Sequence, residues 1–255
     1  MSALLSRSVR SVLTGGPEFR VRKMNSLRSF LLSPMREPFS VSLKVPQKFD
    51  YFLVLDFEAT CDSPEQLKPQ EIIEFPVLCL ESPSMKTVSY FHQYVKSKIH
   101  PQLTPFCSEF TGILQEQLEK AKEFPQVLAE FDDWVANDFH LKSQLFGKST
   151  KNFAFVTCGS WDLKRMLPLQ CELSGIPVPD YMKQWINLKI PFAEMNKKWP
   201  QHMGEMGSHY RLTNYGRPHS GIDDCRYLAR IFVKMALAGC VFDITDHLSK
   251  NSQHK

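Results

Sequence analysis

The run YFLVLDFEATCD, residues 51–62, begins with five apolar side chains and then sets Asp56 and Glu58 into the same line. So apolar a stretch reads as a central strand over 51–59. Side chains alternate faces along a strand, so Asp56 and Glu58 project to one side with Val54, while Leu55 and Phe57 face the other. Buried carboxylates are costly unless cations or hydrogen-bond donors compensate them. Two so close repel, and both ionise cheaply only with a cation between them. Oxygen ligands of this kind suit Mg²⁺ or Mn²⁺; the alternative is a strand end at which both acids are simply solvated.

The segments 72–80 and 87–95 read as two more strands, near enough in sequence to form a meander, with Pro76 marking a bulge or an edge. In TPFCSEFTGI, Thr104 is placed to cap a short helix that starts at Pro105. Phe124, Val127, Leu128, Phe131 and Val135 recur at helical spacing, which predicts an amphipathic helix over 123–137. Another buried strand, FAFVTC at 153–158, precedes a helix from about 160 to 174 that stops at Gly175. The aromatic-rich stretch 180–199 is mixed, and 221–238 repeats Ile222, Leu228, Ile231, Phe232 and Met235 on one helical face. A meander followed by alternating strands and helices predicts an α/β fold, a mixed sheet flanked by helices, as one domain over residues 49–246 with a flexible tail at 247–255.

Three further stretches carry candidate chemistry. GSWDLKRML puts Asp162 at a strand-to-helix junction, where the helix dipole alone would favour an acid. HSGIDDC, residues 219–225, has two acids in the first turn of the last helix. Asp223 is adequately explained as a first-turn acid, and Asp224 is the better candidate to face inward. His219 lies five residues before Asp224 among Gly216, Pro218 and Gly221, so it belongs to a bent lead-in loop rather than to the helix face. An isolated histidine there would be read as a surface or capping group; the ordered succession of acids makes a site more plausible.

VLDFEAT, GSWDL and HSGIDD together resemble the three motifs of the DEDDh family of 3′→5′ exonucleases. The stretches IIEFP, HPQLTPFCSEFTGI, QWINLK and GRPHSGIDD are similar to the enhanced-RNAi/histone-mRNA type of exoribonuclease, and most like its prion-protein-interacting branch. The likeness spans about Tyr51 to Asp243. It implies a ribonuclease-H-like fold in which Asp56, Glu58, Asp162 and Asp224 hold two Mg²⁺ ions, with Mn²⁺ as a substitute, and His219 acts as general base. By the same resemblance Glu58, Ala59, Thr60 and His219 approach the terminal nucleotide, and Trp161 and Phe106 stack its base. For Trp161 plain core packing stays open, and Arg217 is equally placed to reach a phosphate or to be a solvated loop charge. The implied reaction is 3′→5′ hydrolysis of single-stranded RNA ends by a monomer, releasing nucleoside 5′-monophosphates. A DNA exonuclease and a catalytically weak RNA-binding scaffold are the alternatives. The SAP domain of the histone-mRNA member is not expected, so a trimmer of single-stranded ends is expected rather than a stem-loop reader.

Charge and cysteine usage fit this picture. The first 49 residues hold nine Lys or Arg and two acids, which leaves 22 bases against 25 acids from Asp50 onward. The folded part is thus slightly acidic, which argues against a broad basic platform for duplex nucleic acid and allows a local one. Seven cysteines, an odd number with no CxxC pair, suggest neither a zinc site nor a disulfide framework. No apolar run approaches the roughly eighteen residues of a membrane span, so a soluble protein is expected. Residues 1–48 form a Ser/Arg-rich, acid-poor leader with Leu5, Val9 and Leu13 at helical spacing. It has the composition of a mitochondrial transit peptide, and a disordered basic tail on a cytoplasmic or nuclear protein is the alternative.

Overall fold

The computed structural model describes residues 43–138 and 152–248. Residues 1–42 of the leader expected over 1–48, and 249–255 of the tail expected over 247–255, lie outside the described residues. Seven strands form one mixed sheet: β1 Tyr51–Leu55, β2 Glu58–Ala59, β3 Ile72–Glu81, β4 Lys86–Tyr94, β5 Phe153–Thr157, β6 Gln184–Asn187 and β7 Asp246–His247. β3 pairs antiparallel with β4, β1 and β2, whereas β1–β5 and β5–β6 are parallel and β6–β7 is antiparallel. The helices described are α1 Pro105–Thr111, α2 Gln115–Glu119, α3 Phe124–Asp138, α4 Leu167–Leu173, α5 Lys189–Asn196, α6 Met203–His209 and α7 Gly221–Leu237.

Alternation along β1 divides the core in two. Tyr51, Leu53 and Leu55 pack with Phe75, Val77 and Phe155 under α3 and α4. Phe52 and Val54 face the other way, into Leu78, Val156 and the apolar stripe of α7. Burial on both faces explains why this strand has no polar residue over its five positions. In the first layer Phe131 is fully buried and its ring lies 4.9 Å from Phe75 and 5.2 Å from Phe91.

Several expectations need correction. The strand expected over 51–59 is interrupted at Asp56 and Phe57, because the Phe57 amide leaves the sheet and donates to Asp162 Oδ1 at 2.9 Å. Pro76 marks neither a bulge nor an edge. It sits inside β3 opposite His92, at the level where β1 gives way to β2, and the register shifts fall at Cys79/Leu80 against β4 and at Glu58/Ala59 in β2. The helix expected from 160 begins with a π-helical turn, Asp162–Met166, before α4. Leu43 packs on the α7-side core, Gln47 hydrogen-bonds the Cys240 carbonyl at 2.8 Å, and His247 lies in β7, with the Leu248 amide bonded to Lys183. No described helix is long and apolar enough to cross a membrane.

Replacing Phe131 by Ala is expected to cost ~3–5 kcal/mol, the usual penalty for emptying a buried aromatic site, read from the urea midpoint. A loss under about 1 kcal/mol would mean that the ring cluster does not hold α3 to the sheet.

Candidate active site

The break between β1 and β2 is where the acids converge. Glu58 is buried and Asp56 half-buried at the strand ends, and Asp224 comes from the first turn of α7. One carboxylate oxygen from each lies within 4.8 Å of the others. Among the described residues neither Asp56 nor Glu58 forms an ion pair. Asp162, on the π-helical turn after β5, is not one of the three whose oxygens all lie within 4.8 Å of one another. It is buried and one of its oxygens accepts the Phe57 amide, yet its charge acts on Asp56.

Electrostatics follow from that crowding. Burial first, then the charges of Asp162, Asp224 and Glu74, hold Asp56 well above the usual carboxylate range. Burial and Asp56 push Glu58 up to about 10. Burial raises Asp162 and Asp224 to about 6 each, against the Phe57 and His219 amide bonds that pull them down. A buried set of oxygen donors that repel one another and have no cation among their partners fits a hard divalent ion. The residues present therefore suit the divalent metal ions that such a cluster implies.

Glu74 is the member that sequence reasoning missed. It lies across from Glu58 in the β2–β3 ladder and is almost fully buried. Its carboxylate accepts the amides of Gly221 at 3.0 Å and Ile222 at 3.2 Å, and meets His92 Nε2 at 2.7 Å. An anion at the first amides of a helix is well matched, so Glu74 pins the start of α7 onto β3. Gly221 allows that approach, since a Cβ there would lie 2.7 Å from the Asp56 carbonyl oxygen. An acid amid the apolar run IIEFP was the available signal.

His219 sits just outside α7, as its spacing suggests, with φ at +62°. Its amide donates to Asp224 Oδ2 at 2.8 Å. Burial, then Arg217, lowers the pKa of its ring, which stacks on Phe110 with centroids 3.8 Å apart. Phe110 in turn stacks on Phe106 at 5.4 Å. Phe110 too was missed, although Phe106 and Phe110 are a helical i, i+4 pair. Arg217 donates to the Glu109 carbonyl and lies against Gly112, so it clamps the His219 loop to α1. Asp223 pairs with Arg226 and accepts the Arg217 amide, in keeping with its reading as a first-turn acid.

The remaining expected residues lie on β2, on the segment that follows it, on α1 and beside Asp162. Ala59 and Thr60 are buried, with Cys107 Sγ of α1 at 3.9 Å from the Ala59 carbonyl. The Thr60 hydroxyl accepts the Glu71 amide, and its carbonyl accepts Gln70 Nε2, so its polar groups serve the local fold. Phe106 and Trp161 are about 37% and 38% exposed. That excludes plain core packing for Trp161 and leaves its ring open to a ligand.

Because the folded pKa values of Glu58, Asp162 and Asp224 lie above the ordinary value near 4, the metal-free protein holds protons that the unfolded chain has released. The stability that these three acids contribute is full below the ordinary value near 4 and is lost as pH rises through about 6 for Asp162 and Asp224 and toward about 10 for Glu58. The metal-free Tm should therefore fall between about pH 5 and pH 8, and Glu58→Gln should flatten the decline while weakening stabilisation by added Mg²⁺. An identical pH slope in wild type and Glu58→Gln would contradict the electrostatic account.

Comparison with known proteins agrees with this geometry. The RNase_T family model, described as an exonuclease, matches residues 53–232. The human protein named ERI1 exoribonuclease 3 is 50% identical over 201 residues, covering 78% of this chain and 58% of the relative. The rat 3'-5' exoribonuclease 1 is 37% identical over 212 residues, covering 80% of this chain and 58% of its own length. The chain thus spans a little over half the length of these curated relatives. Among solved structures, the nuclease domain of 3'hExo, a DEDDh family member bound to rAMP, superposes with a TM-score of 0.72 at 34% identity, covering 80% of this chain and all of that one. A structure titled as 3'-end specific recognition of histone mRNA stem-loop by 3'-exonuclease gives the same TM-score at 33% identity, covering 80% of this chain and 69% of that one.

Proposed function

We propose, for a chain that belongs to the RNase_T exonuclease family and to its ERI1-like exoribonuclease group, that this site removes nucleotides one at a time from single-stranded RNA 3′ ends, as a monomer. The observation that carries this reading is the convergence of Asp56, Glu58 and Asp224 within 4.8 Å without a protein cation among the described residues. With Asp162 they would hold two Mg²⁺ ions, or Mn²⁺. Such ions, when bound, neutralise the phosphate and stabilise the attacking and leaving oxygens of an in-line displacement.

The protein's own residues do the rest. His219 accepts a proton from the attacking water; its lowered pKa leaves the imidazole neutral and receptive at pH 7. The bond from its amide to Asp224 keeps the base beside a metal-ligating carboxylate. Phe106 and Trp161 offer exposed rings to the terminal base, while Ala59 and Thr60 form the strand end beneath it. The 3′ oxygen stays on the shortened strand, so the product is a nucleoside 5′-monophosphate.

The test compares 5′-labelled and 3′-labelled RNA and DNA oligomers with Mg²⁺ or EDTA. The 5′-labelled RNA should shorten stepwise, and the 3′-labelled RNA should yield a labelled mononucleotide at once. Internal cuts, or no product with Mg²⁺, would overturn the proposal, and equal turnover of DNA would remove its substrate class. His219→Ala should lower the single-turnover rate by about 10²–10⁴-fold with Mg²⁺ binding retained. An unchanged rate would reduce His219 to a loop residue.

The acid-poor Ser/Arg leader supports a mitochondrial address. Residues 1–49 fused to a fluorescent protein should direct it to mitochondria, and diffuse fluorescence would refute that address.

A further inference from the structure

The backbone of the His219 loop is fixed by several bonds. The His219 amide donates to Asp224 Oδ2 at 2.8 Å, the Arg217 amide to Asp223 Oδ2 at 3.0 Å, and the Ser220 amide to the Arg217 carbonyl at 3.3 Å. The φ of +62° at His219 lies in the left-handed region that non-glycine residues seldom adopt. These contacts, rather than its own torsional preference, therefore hold the turn. They are bonds to backbone amides, however, and leave the imidazole to turn about two side-chain torsions, of which the second has broad minima. A general base has to lie within hydrogen-bond reach, about 2.6–3.2 Å, of the atom whose proton it takes. A ring free to turn would spend little time there.

Phe110 supplies what those bonds do not. Its ring and the imidazole lie nearly face to face, with centroids 3.8 Å apart and planes inclined by 22°. A stack engages the faces of the imidazole and leaves its two nitrogens, which lie in the ring plane, to partners at the edge. Phe110 is itself firmly carried. The helix α1 is capped by the Thr104 hydroxyl, buries Cys107 and Thr111, and is closed by Gly112 in the left-handed conformation. Phe106, one turn earlier, lies parallel to Phe110 within 14°. Consecutive positions of α1 receive the loop, Arg217 on the Glu109 carbonyl and His219 on the Phe110 ring. Gly112 admits that approach, since a Cβ there would lie 2.6 Å from Arg217 Nε. Phe110 is 39% exposed, so the core does not dictate an aromatic ring at this position.

From this geometry we propose that Phe110 is a positioning residue for the reaction: its ring holds the His219 imidazole in the orientation from which it takes the proton of the attacking water. The inference rests on the reading of His219 as general base and adds the residue that aims it. Phe110 touches no reacting atom and acts through His219. Small errors of aim are costly in catalysis, because a misplacement of about 1 Å can lower a rate about a hundredfold. A flat ring on a rigid helix suits the task, since it restricts the imidazole by contact with its face and needs no polar atom of its own.

The test uses the full chain with Mg²⁺ and reads the ring and the reaction separately. In the proton NMR spectrum the His219 ring signals, assigned by their loss in His219→Ala, should be shifted upfield by the aromatic face. Phe110→Ala should return them toward the ordinary histidine position. The site is exposed and alanine is the best helix former, so α1 persists in that variant. Phe110→Ala should lower kcat on an oligouridylate by about 10–10²-fold, with KM and Mg²⁺ binding little changed. Phe110→Tyr, which keeps the flat ring, should restore the rate. In a His219→Ala background Phe110→Ala should cost nothing further, because residues that act as one unit are not additive. Unshifted His219 signals in wild type, an unchanged kcat in Phe110→Ala, a rise in KM alone, or an equal loss with His219 already removed would overturn the positioning role. A His219→Ala variant as fast as wild type would instead refute the base reading on which it rests.

Discussion

The bond between the Glu74 carboxylate and the first amides of α7 is the contact on which the site depends. It carries a negative charge into the sheet interior, where charge is expensive, and spends it on the positive end of a helix. The helix so anchored delivers Asp224 to the strand acids and leaves His219 in the turn just before it. Gly221 makes the approach close enough, because a side chain there would collide with the Asp56 carbonyl. Glu74 also stands near Asp56, Glu58 and Asp224 and raises all three, so one residue both assembles the cluster and adds to its demand for cations.

That demand is sustained by the apolar layers around it. Phe52 and Val54 on one face, and Leu53 and Leu55 on the other, leave β1 almost without solvent. The carboxylates at its end inherit that low-dielectric setting. Close packing of α7 and of the π-helical turn prevents the acids from separating to relieve their repulsion. A divalent ion is the partner that removes the strain without moving the backbone.

α1 links the halves of the cleft. Thr104 caps it and donates to the Cys61 carbonyl, Cys107 packs behind Ala59, and its exposed face carries Phe106 and Phe110. The same face receives His219, and Arg217 grips the carbonyl of Glu109. A short helix thus joins the strand end proposed to lie beneath the terminal nucleotide to the loop that holds the proposed base. Aromatic rings that would greet the substrate and the ring that would take its proton form one stack.

Local pattern alone determined much of this protein. Strand and helix periods, the Thr104 cap, the stop at Gly175 and the position of His219 outside the last helix were legible because each follows from neighbours within a few residues. The types of the four acids and their order were legible too, since an acid in an apolar run declares itself. Only the tertiary structure decided which of them meet. It gave one Asp162 oxygen to the Phe57 amide, broke the first strand there, and put Glu74 and Phe110 at the site through partners about 147 and 109 residues away in the chain. Those choices depend on distances between elements remote in sequence. They are settled by the packing of α7 and α1 against the sheet, and no local propensity encodes them.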